Sequence, residues 1–201
     1  MLLIDFYREL LHTSDETLLQ KVSEASQIIS LKTGELAIKS GTVPTHICFL
    51  LHGVLRGVAS NANGKDITDC IVFRTGSPAM PDSDFTQPAS ITLEALEYTE
   101  LVAIPVEKVQ ELLAEYPDLM EVYRQFLLWS VALHRDLKIA LYQYTAAQRY
   151  EWFLRQYPGL IDRIPHKYIA SLLNMTPVTL SNVRKNSRKP VCAVSPQDAT
   201  E

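Results

Sequence analysis

Ile164-Pro165-His166-Lys167-Tyr168-Ile169-Ala170-Ser171-Leu172-Leu173-Asn174-Met175-Thr176-Pro177-Val178-Thr179-Leu180-Ser181-Asn182-Val183-Arg184-Lys185 is the stretch that says most about how this chain folds. It reads as two short helices joined by a tight turn. Ala170 places a small side chain where two helices would cross closely, and Asn174 tolerates the left-handed backbone of a turn. Thr176-Pro177 supplies an N-cap followed by proline at the first helical position, where its missing N–H costs nothing. Together these requirements describe a helix-turn-helix. On a wheel of 100° per residue, Leu180 and Val183 share a face that packs on Ile169, Ala170 and Leu173. Val178, Ser181, Asn182 and Lys185 face outward, with Thr179, Arg184 and Arg188 at the flanks.

The charge around this segment is one-sided. Residues 163–190 hold six Lys or Arg and no Asp or Glu, inside a chain whose net charge is −4. Residues 1–162 carry thirteen basic against twenty-one acidic groups, and the tail adds Asp198 and Glu201. A basic module on an acidic body points to a polyanionic partner. The outward face suits a DNA major groove, where the hydroxyl and amide groups of Thr176, Thr179, Ser181 and Asn182 meet base edges and Val178 meets a thymine methyl. Arg184, Lys185, Arg188 and Lys189 are placed as phosphate neutralisers, which supply affinity and salt dependence without sequence discrimination. The plainer alternative is a two-helix hairpin that merely packs, and a helix with no acid on its exposed face fits that poorly.

Upstream, residues 146–157 form an amphipathic helix (Tyr150, Phe153, Leu154) closed by Tyr157-Pro158-Gly159. Before it runs the longest periodic segment, from Asp118 to about Tyr144. Leu119, Val122, Tyr123, Phe126, Leu133, Leu137, Ala140, Leu141 and Tyr144 fall on one stripe, with Arg124, Gln125, Arg135, Asp136 and Lys138 mainly opposite. At 1.5 Å per residue this helix is about 40 Å long, more than a small domain covers, so part of the stripe is expected to meet an identical helix in a two-fold dimer. Residues 107–115 read as a shorter helix. From about Ile28 to Pro105 the texture is short β-branched and aromatic runs broken by Lys32-Thr33-Gly34, Ser40-Gly41, His52-Gly53, Asn61-Ala62-Asn63-Gly64 and Thr75-Gly76. Many short strands at close intervals mean a sandwich or roll. Asn63-Gly64, between Val54–Ala59 and Ile67–Phe73, is the strongest hairpin signal. Residues 5–25 read as two small helices divided near Thr13-Ser14-Asp15, with Ser14 or Asp15 capping the second. Beyond Pro190 the sequence is polar and unpatterned, and loose order is expected there.

Several function classes find no support in these residues. The start meets acidic residues at once and lacks a basic region followed by a long apolar core, so no signal peptide is expected. No apolar run approaches the roughly 18 residues a spanning helix needs. The expected address is the cytoplasm. Cys48, Cys70 and Cys192 are odd in number and lack Cys-x-x-Cys spacing, which makes them packed or incidental thiols rather than a metal site or disulfide framework. There is no Ser/His/Asp arrangement at interpretable spacing, no phosphate-cradling glycine loop and no His-Glu-x-x-His, so no enzyme and no cofactor is expected. His46 and His52 flank a predicted strand and leave a cupin-like metal site as an alternative. A haem would need His46, His52 or Cys70 as its axial ligand, and no local motif supports one.

Several stretches are similar to the Crp/Fnr superfamily of bacterial regulators, specifically to short members that stop soon after the recognition helix. The resemblance covers roughly residues 5–189. It is carried by Arg149-Tyr150-Glu151-Trp152-Phe153-Leu154, Tyr157-Pro158-Gly159-Leu160, Arg163-Ile164-Pro165, Tyr168-Ile169-Ala170-Ser171 and Thr176-Pro177-Val178-Thr179-Leu180-Ser181. Upstream, Lys32-Thr33-Gly34-Glu35-Leu36-Ala37-Ile38-Lys39-Ser40-Gly41 and Phe49-Leu50-Leu51-His52-Gly53-Val54-Leu55-Arg56 resemble the first half of a cyclic-nucleotide-binding roll. The resemblance implies an α+β chain. Residues 1–117 would form a jelly-roll-like double-stranded β-roll sensor, residues 118–144 a dimerisation helix, residues 145–190 an all-α helix-turn-helix domain and residues 191–201 a tail. It also implies a homodimer on double-stranded DNA, with RNA polymerase as a further partner and no membrane association. The chain departs from the family in two places. Members that bind cyclic nucleotides use a Gly-Glu pair on the ribose and a following Arg on the phosphate. Here Gly76 is followed by Ser77, and the Arg region reads Pro88-Ala89-Ser90-Ile91-Thr92. The pocket expected at Gly76, Ser77, Ser90 and Thr92 therefore lacks the charge partner of a buried phosphate, and Met80-Pro81-Asp82-Ser83-Asp84-Phe85 brings carboxylates instead. Relatives commonly place a Glu and an Arg where Val178 and Asn182 stand, so fewer bidentate base contacts are expected, and no wing is expected beyond Pro190. The resemblance identifies neither an effector nor target genes.

Overall fold

The computed structural model describes residues 2–60, 62–80, 82, 84 and 86–187. Arg188, Lys189, Cys192 and the whole expected tail lie outside them. The chain divides after Lys138 into two compact units.

In the first unit, α1 (Leu3–Leu11) and α2 (Glu16–Glu24) precede the strands, and the Asp15 carboxylate caps α2 by accepting from the N–H groups of Thr17 and Leu18. Among the described residues seven strands follow: β1 (Gln27–Leu31), β2 (Leu36–Ile38), β3 (His46–His52), β4 (Leu55–Ser60), β5 (Asp66–Val72), β6 (Thr92–Ala95) and β7 (Thr99–Pro105). They pair antiparallel in two sheets, ordered β1-β7-β3 and β2-β6-β4-β5. The Asn63-Gly64 hairpin joins β4 to β5 as the sequence predicts, with Gly64 at a φ of 72°. Gly53, at a φ of 104°, is obligatory for a second reason: a Cβ there would stand 2.7 Å from the Cα of Thr99.

The alternation of β3 and β7 explains the layering. Cys48 and Leu50 of β3 and Leu101 and Ala103 of β7 point between the sheets, where they join Leu31, Ile38, Leu55, Leu93 and Ala95. The opposite set, Phe49, Leu51, Val102 and Ile104, meets Phe6, Tyr7, Leu18, Leu19 and Val22 of the first two helices and Leu112 of α3 (Val106–Glu115). Both faces of the three-stranded sheet are therefore covered, which period-2 side-chain placement allows when alternate residues are both apolar. Among the described residues of 73–91 there is no strand, only an isolated bridge between Pro78 and Phe49. Ser77 and Ala79 instead run irregularly along β3, where the carbonyl of Ser77 accepts from Leu50 and the N–H of Ala79 donates to Cys48.

Helix α4 (Leu119–Gln143) begins in the first unit and ends in the second. Its predicted stripe is partly used within the chain: Leu119 packs with the helices against the sheet, and the Phe126 ring lies 5.7 Å from that of Phe49. A second apolar set, which the single-stripe reading missed, is exposed. Met120, Leu128 and Val131 fall within an arc of about 80° on the side nearly opposite the stripe. Among the described residues, no helix is long and apolar enough to cross a membrane.

The second unit contains α5 (Ala146–Gln156), a single 3-10 turn (Leu160–Asp162), α6 (His166–Leu172) and α7 (Pro177–Ser187). Thr145 and Gln148 form a reciprocal capping box at the start of α5. Phe153 stacks on Tyr157 at 5.1 Å, with Trp152 edge-on to the same ring at 5.9 Å. Ile164, Ile169, Ala170, Leu172, Leu173 and Leu180 complete a core that leaves almost none of their surface to solvent.

Candidate functional site

The turn between α6 and α7 is built by the residues the sequence singles out. Asn174 takes the left-handed conformation at a φ of 48°, and the Met175 N–H closes back on the Ala170 carbonyl at 2.9 Å. Thr176 then caps α7, its hydroxyl oxygen accepting from the Thr179 N–H at 3.0 Å. Leu180, fully buried, fixes the inner face of α7, which packs on α5 and α6. These constraints turn Val178, Ser181, Asn182 and Lys185 outward, all exposed, and Val178 keeps 69% of its surface. Thr176 is exposed beside them and Thr179 is half-buried. The face is apolar, hydroxyl, amide and ammonium in turn, and α7 contains no carboxylate to oppose an anion. Such a surface hydrogen-bonds and neutralises; it holds no nucleophile–base pair.

Arg184, expected as a phosphate neutraliser, is engaged within its own unit. It stands one turn beyond Leu180 on the inward side, and its side chain is 20% exposed. Its Nη2 donates to Asp162 Oδ1 at 2.9 Å, and Nη1 lies 2.7 Å from His166 Nε2. The wheel places Arg184 at a flank, and the difference arises from reach: a long side chain starting near the inner face extends past the helix edge to partners at the end of the 3-10 turn and the start of α6. Neither Asp162 nor His166 was marked by sequence, since each contributes only in combination with Arg184. Arg188 and Lys189, the other two expected phosphate contacts, lie outside the described residues.

In the first unit, Ser90 and Thr92 line a cleft of about 440 Å³ with Ser40, Ser60, Asp66 and Glu94. Gly76 and Ser77 are not part of it; their backbones are bonded to Leu50 of β3. The hydrogen-bonding groups that Ser90 offers are already taken, because Asp82 accepts from its N–H at 2.8 Å and from its hydroxyl at 2.7 Å. Ala79, Ala89 and Ile91, in and beside the stretch expected to line the nucleotide pocket, are buried among the apolar side chains between the sheets. Met80 packs against them, while Pro81, Ser83 and Phe85 lie outside the described residues. Arg56, 4% exposed, donates through Nε to Thr68 Oγ1 at 2.9 Å and pairs with Glu94 at 3.4 Å. A buried guanidinium needs such partners to be tolerated.

The alternative metal reading meets a geometric obstacle. His46 and His52 sit at opposite ends of β3, about 20 Å apart at 3.3 Å per residue, too far to share one ion within a chain. His46 is engaged through both ring nitrogens, with Gln27 at 3.4 Å and Thr45 at 2.9 Å. Among the described residues, no three His, Cys, Asp or Glu converge on a metal-sized site. Burial pushes the thiol of Cys48 up to about 11 and that of Cys70 up to about 12, the latter helped by Asp69.

Residues 28–116 match the family model described as the cyclic nucleotide-binding domain. No curated protein matches the chain by sequence. Among solved structures, FixK2 from Bradyrhizobium japonicum aligns with a TM-score of 0.68 at 13% identity, over 80% of this chain and 83% of its own. The c-di-GMP responsive global regulator CLP of Xanthomonas campestris aligns at 0.67 and 12% identity, over 86% and 91%. A CooA mutant from Carboxydothermus hydrogenoformans aligns at 0.64 and 16%, over 89% and 82%. At these identities the likeness is one of fold, and that fold, a cyclic-nucleotide-binding-type roll followed by a long helix and a helical C-terminal unit, is the one this chain adopts.

Proposed function

We propose that this chain is a transcriptional regulator of the Crp/Fnr type that binds double-stranded DNA as a homodimer in the cytoplasm, without catalysing a reaction. The observation that carries the reading is the outward face of α7. A left-handed turn, a threonine cap and a buried leucine present Val178, Ser181, Asn182 and Lys185 together on an acid-free helix. The sequence resemblance, and the regulators among the solved structures of like fold, support the same reading. Two copies of α7 would enter successive major grooves about one helical turn apart, and the bound dimer would recruit or block RNA polymerase. The exposed apolar set on α4 supports pairing between copies.

The roll is not expected to respond to cyclic AMP in the cassette manner. Asp82 occupies both hydrogen-bond donors of Ser90, and a phosphate would have to displace that carboxylate without an arginine to receive it. An effector, where one acts, must shift the dimer between two arrangements by binding them unequally.

The test is selection of duplexes from a random pool by the full chain, followed by affinity measurements across salt concentrations. Lys185→Ala should lower the slope of log K against log salt by about 0.9 per subunit, the value for one lost phosphate contact on B-DNA. Failure of the unaltered chain to retain any duplex at low salt would overturn the reading and leave the roll as a ligand- or protein-binding module.

A further inference from the structure

Three elements of the second unit converge on one side chain. Asp162 is the last residue of the 3-10 turn, His166 the first of α6, and Arg184 lies in the C-terminal half of α7. Arg184 joins them, with Nη2 on Asp162 Oδ1 and Nη1 against His166 Nε2. A guanidinium is always protonated and only donates, so its contact with His166 requires the tautomer whose Nε2 carries the lone pair. The same Nε2 lies 3.1 Å from the Ile161 carbonyl oxygen, a contact that needs the other tautomer. The ring therefore serves one partner at a time. The Arg184 Nε is buried with no hydrogen-bond partner among the described residues.

Helix α7 is thus held at two points on one face, four residues apart. Leu180 fixes its middle by apolar burial, and Arg184 fixes the following turn by directed hydrogen bonds. Burial alone is non-directional and lets a short helix rotate or tilt about its contact. A planar, forked donor bound at two different acceptors does not.

We infer that Arg184, with Asp162 and His166 as its acceptors, is a positioning residue that sets the orientation of α7, and that it does not neutralise a DNA phosphate. This rests on the reading of α7 as the groove helix. It separates the two neighbouring cations: Lys185 supplies charge to the polyanion, whereas Arg184 sets the angle at which Val178, Ser181 and Asn182 meet the bases. Base readout depends on that angle far more than phosphate attraction does.

The experiment measures salt slope and site preference for the full chain carrying Arg184→Met, which keeps the apolar stem, and separately Asp162→Asn, a change at a largely exposed side chain that leaves the core intact. Site preference is the affinity ratio between the selected duplex and duplexes altered by one base pair. Both variants are expected to lower that ratio at least fivefold while keeping the salt slope of the unaltered chain. The double variant should be no worse than either single one, because each removes the same tie. Lys185→Ala is the opposite control, losing slope and keeping preference. A slope lowered by about 0.9 per subunit in Arg184→Met makes Arg184 a phosphate contact and overturns the inference. Unchanged preference in Asp162→Asn overturns it as well. If the unaltered chain binds no duplex, the DNA reading itself has failed and the inference falls with it. Binding by the unaltered chain that Lys185→Ala weakens keeps the two failures apart.

Discussion

Replacing Val131 with Ser tests whether α4 pairs two copies of the chain. Val131 keeps 66% and Leu128 54% of its surface in the single chain, on a helix whose other face is already committed to the sheet. Complete burial of such a side chain is worth about 1.5–3 kcal/mol, so the exposed part of Val131 offers about 1 kcal/mol. A two-fold interface uses the same residue twice, which makes the loss about 2 kcal/mol and the dissociation constant about 30-fold weaker. Adding Leu128→Ser doubles the apolar loss to about 4 kcal/mol and raises the effect toward a thousandfold. Sedimentation equilibrium of the full chain over a wide concentration range gives these constants directly, with Gln125→Ser as the polar control on the same helix. Thermal melts should show that the variants remain folded, since neither side chain is needed by the core. Association constants within threefold across both variants would refute the argument, as would an unaltered chain that stays monomeric at every concentration. Because DNA half-sites are read by paired helices, the monomerised variants should lose duplex affinity even though α7 is untouched.

Asn182→Ala should change which duplexes are preferred more than it changes overall affinity, because an exposed amide reads base edges without neutralising phosphate; a uniform loss across all sequences would contradict that. Cys48 and Cys70 should resist alkylation at pH 8 in the folded chain. Their raised values keep both protonated there, and reactivity should appear only as pH climbs toward about 11 or 12, or on unfolding. Mass mapping of alkylated peptides reads them separately from Cys192, and fast labelling of either at pH 8 in the native chain would contradict the raised values.

Much of the fold is legible in the sequence because local and tertiary signals agree. Asn63-Gly64 specifies a hairpin by backbone geometry alone, and the Thr176-Pro177 cap fixes where α7 begins to the residue. The outward face of α7 followed from the wheel because short side chains stay at the angle of their Cα. The cleft was less accessible. Thr92 opens strand β6 and Ser90 lies two residues before it on the same surface, but Gly76 and Ser77 are drawn to the three-stranded sheet by backbone bonds that no composition rule anticipates. The division after Lys138 was equally hidden, since a continuous helix shows no break in its pattern where it passes from one unit to the next.

The two misplacements, Arg184 and the exposed face of α4, have one origin. Angular sorting treats a helix as having one apolar side and assigns charged residues to water. α4 has two apolar sides, so the stronger periodicity absorbed Leu119 and Phe126 and left Met120, Leu128 and Val131 uncounted. Arg184 has an apolar stem and a charged fork that act in different places, so its Cα angle says little about where its charge ends. The guanidinium meets a carboxylate and an imidazole of its own unit, and the uncounted apolar side chains keep half or more of their surface exposed in the single chain. Of the expected cationic contacts that fall among the described residues, Lys185 is exposed, while the Arg184 side chain is 20% exposed and paired with Asp162. A regulator built this way would separate affinity from discrimination between adjacent residues of one helix, which is why the salt slope and the site preference must be measured on the same variants.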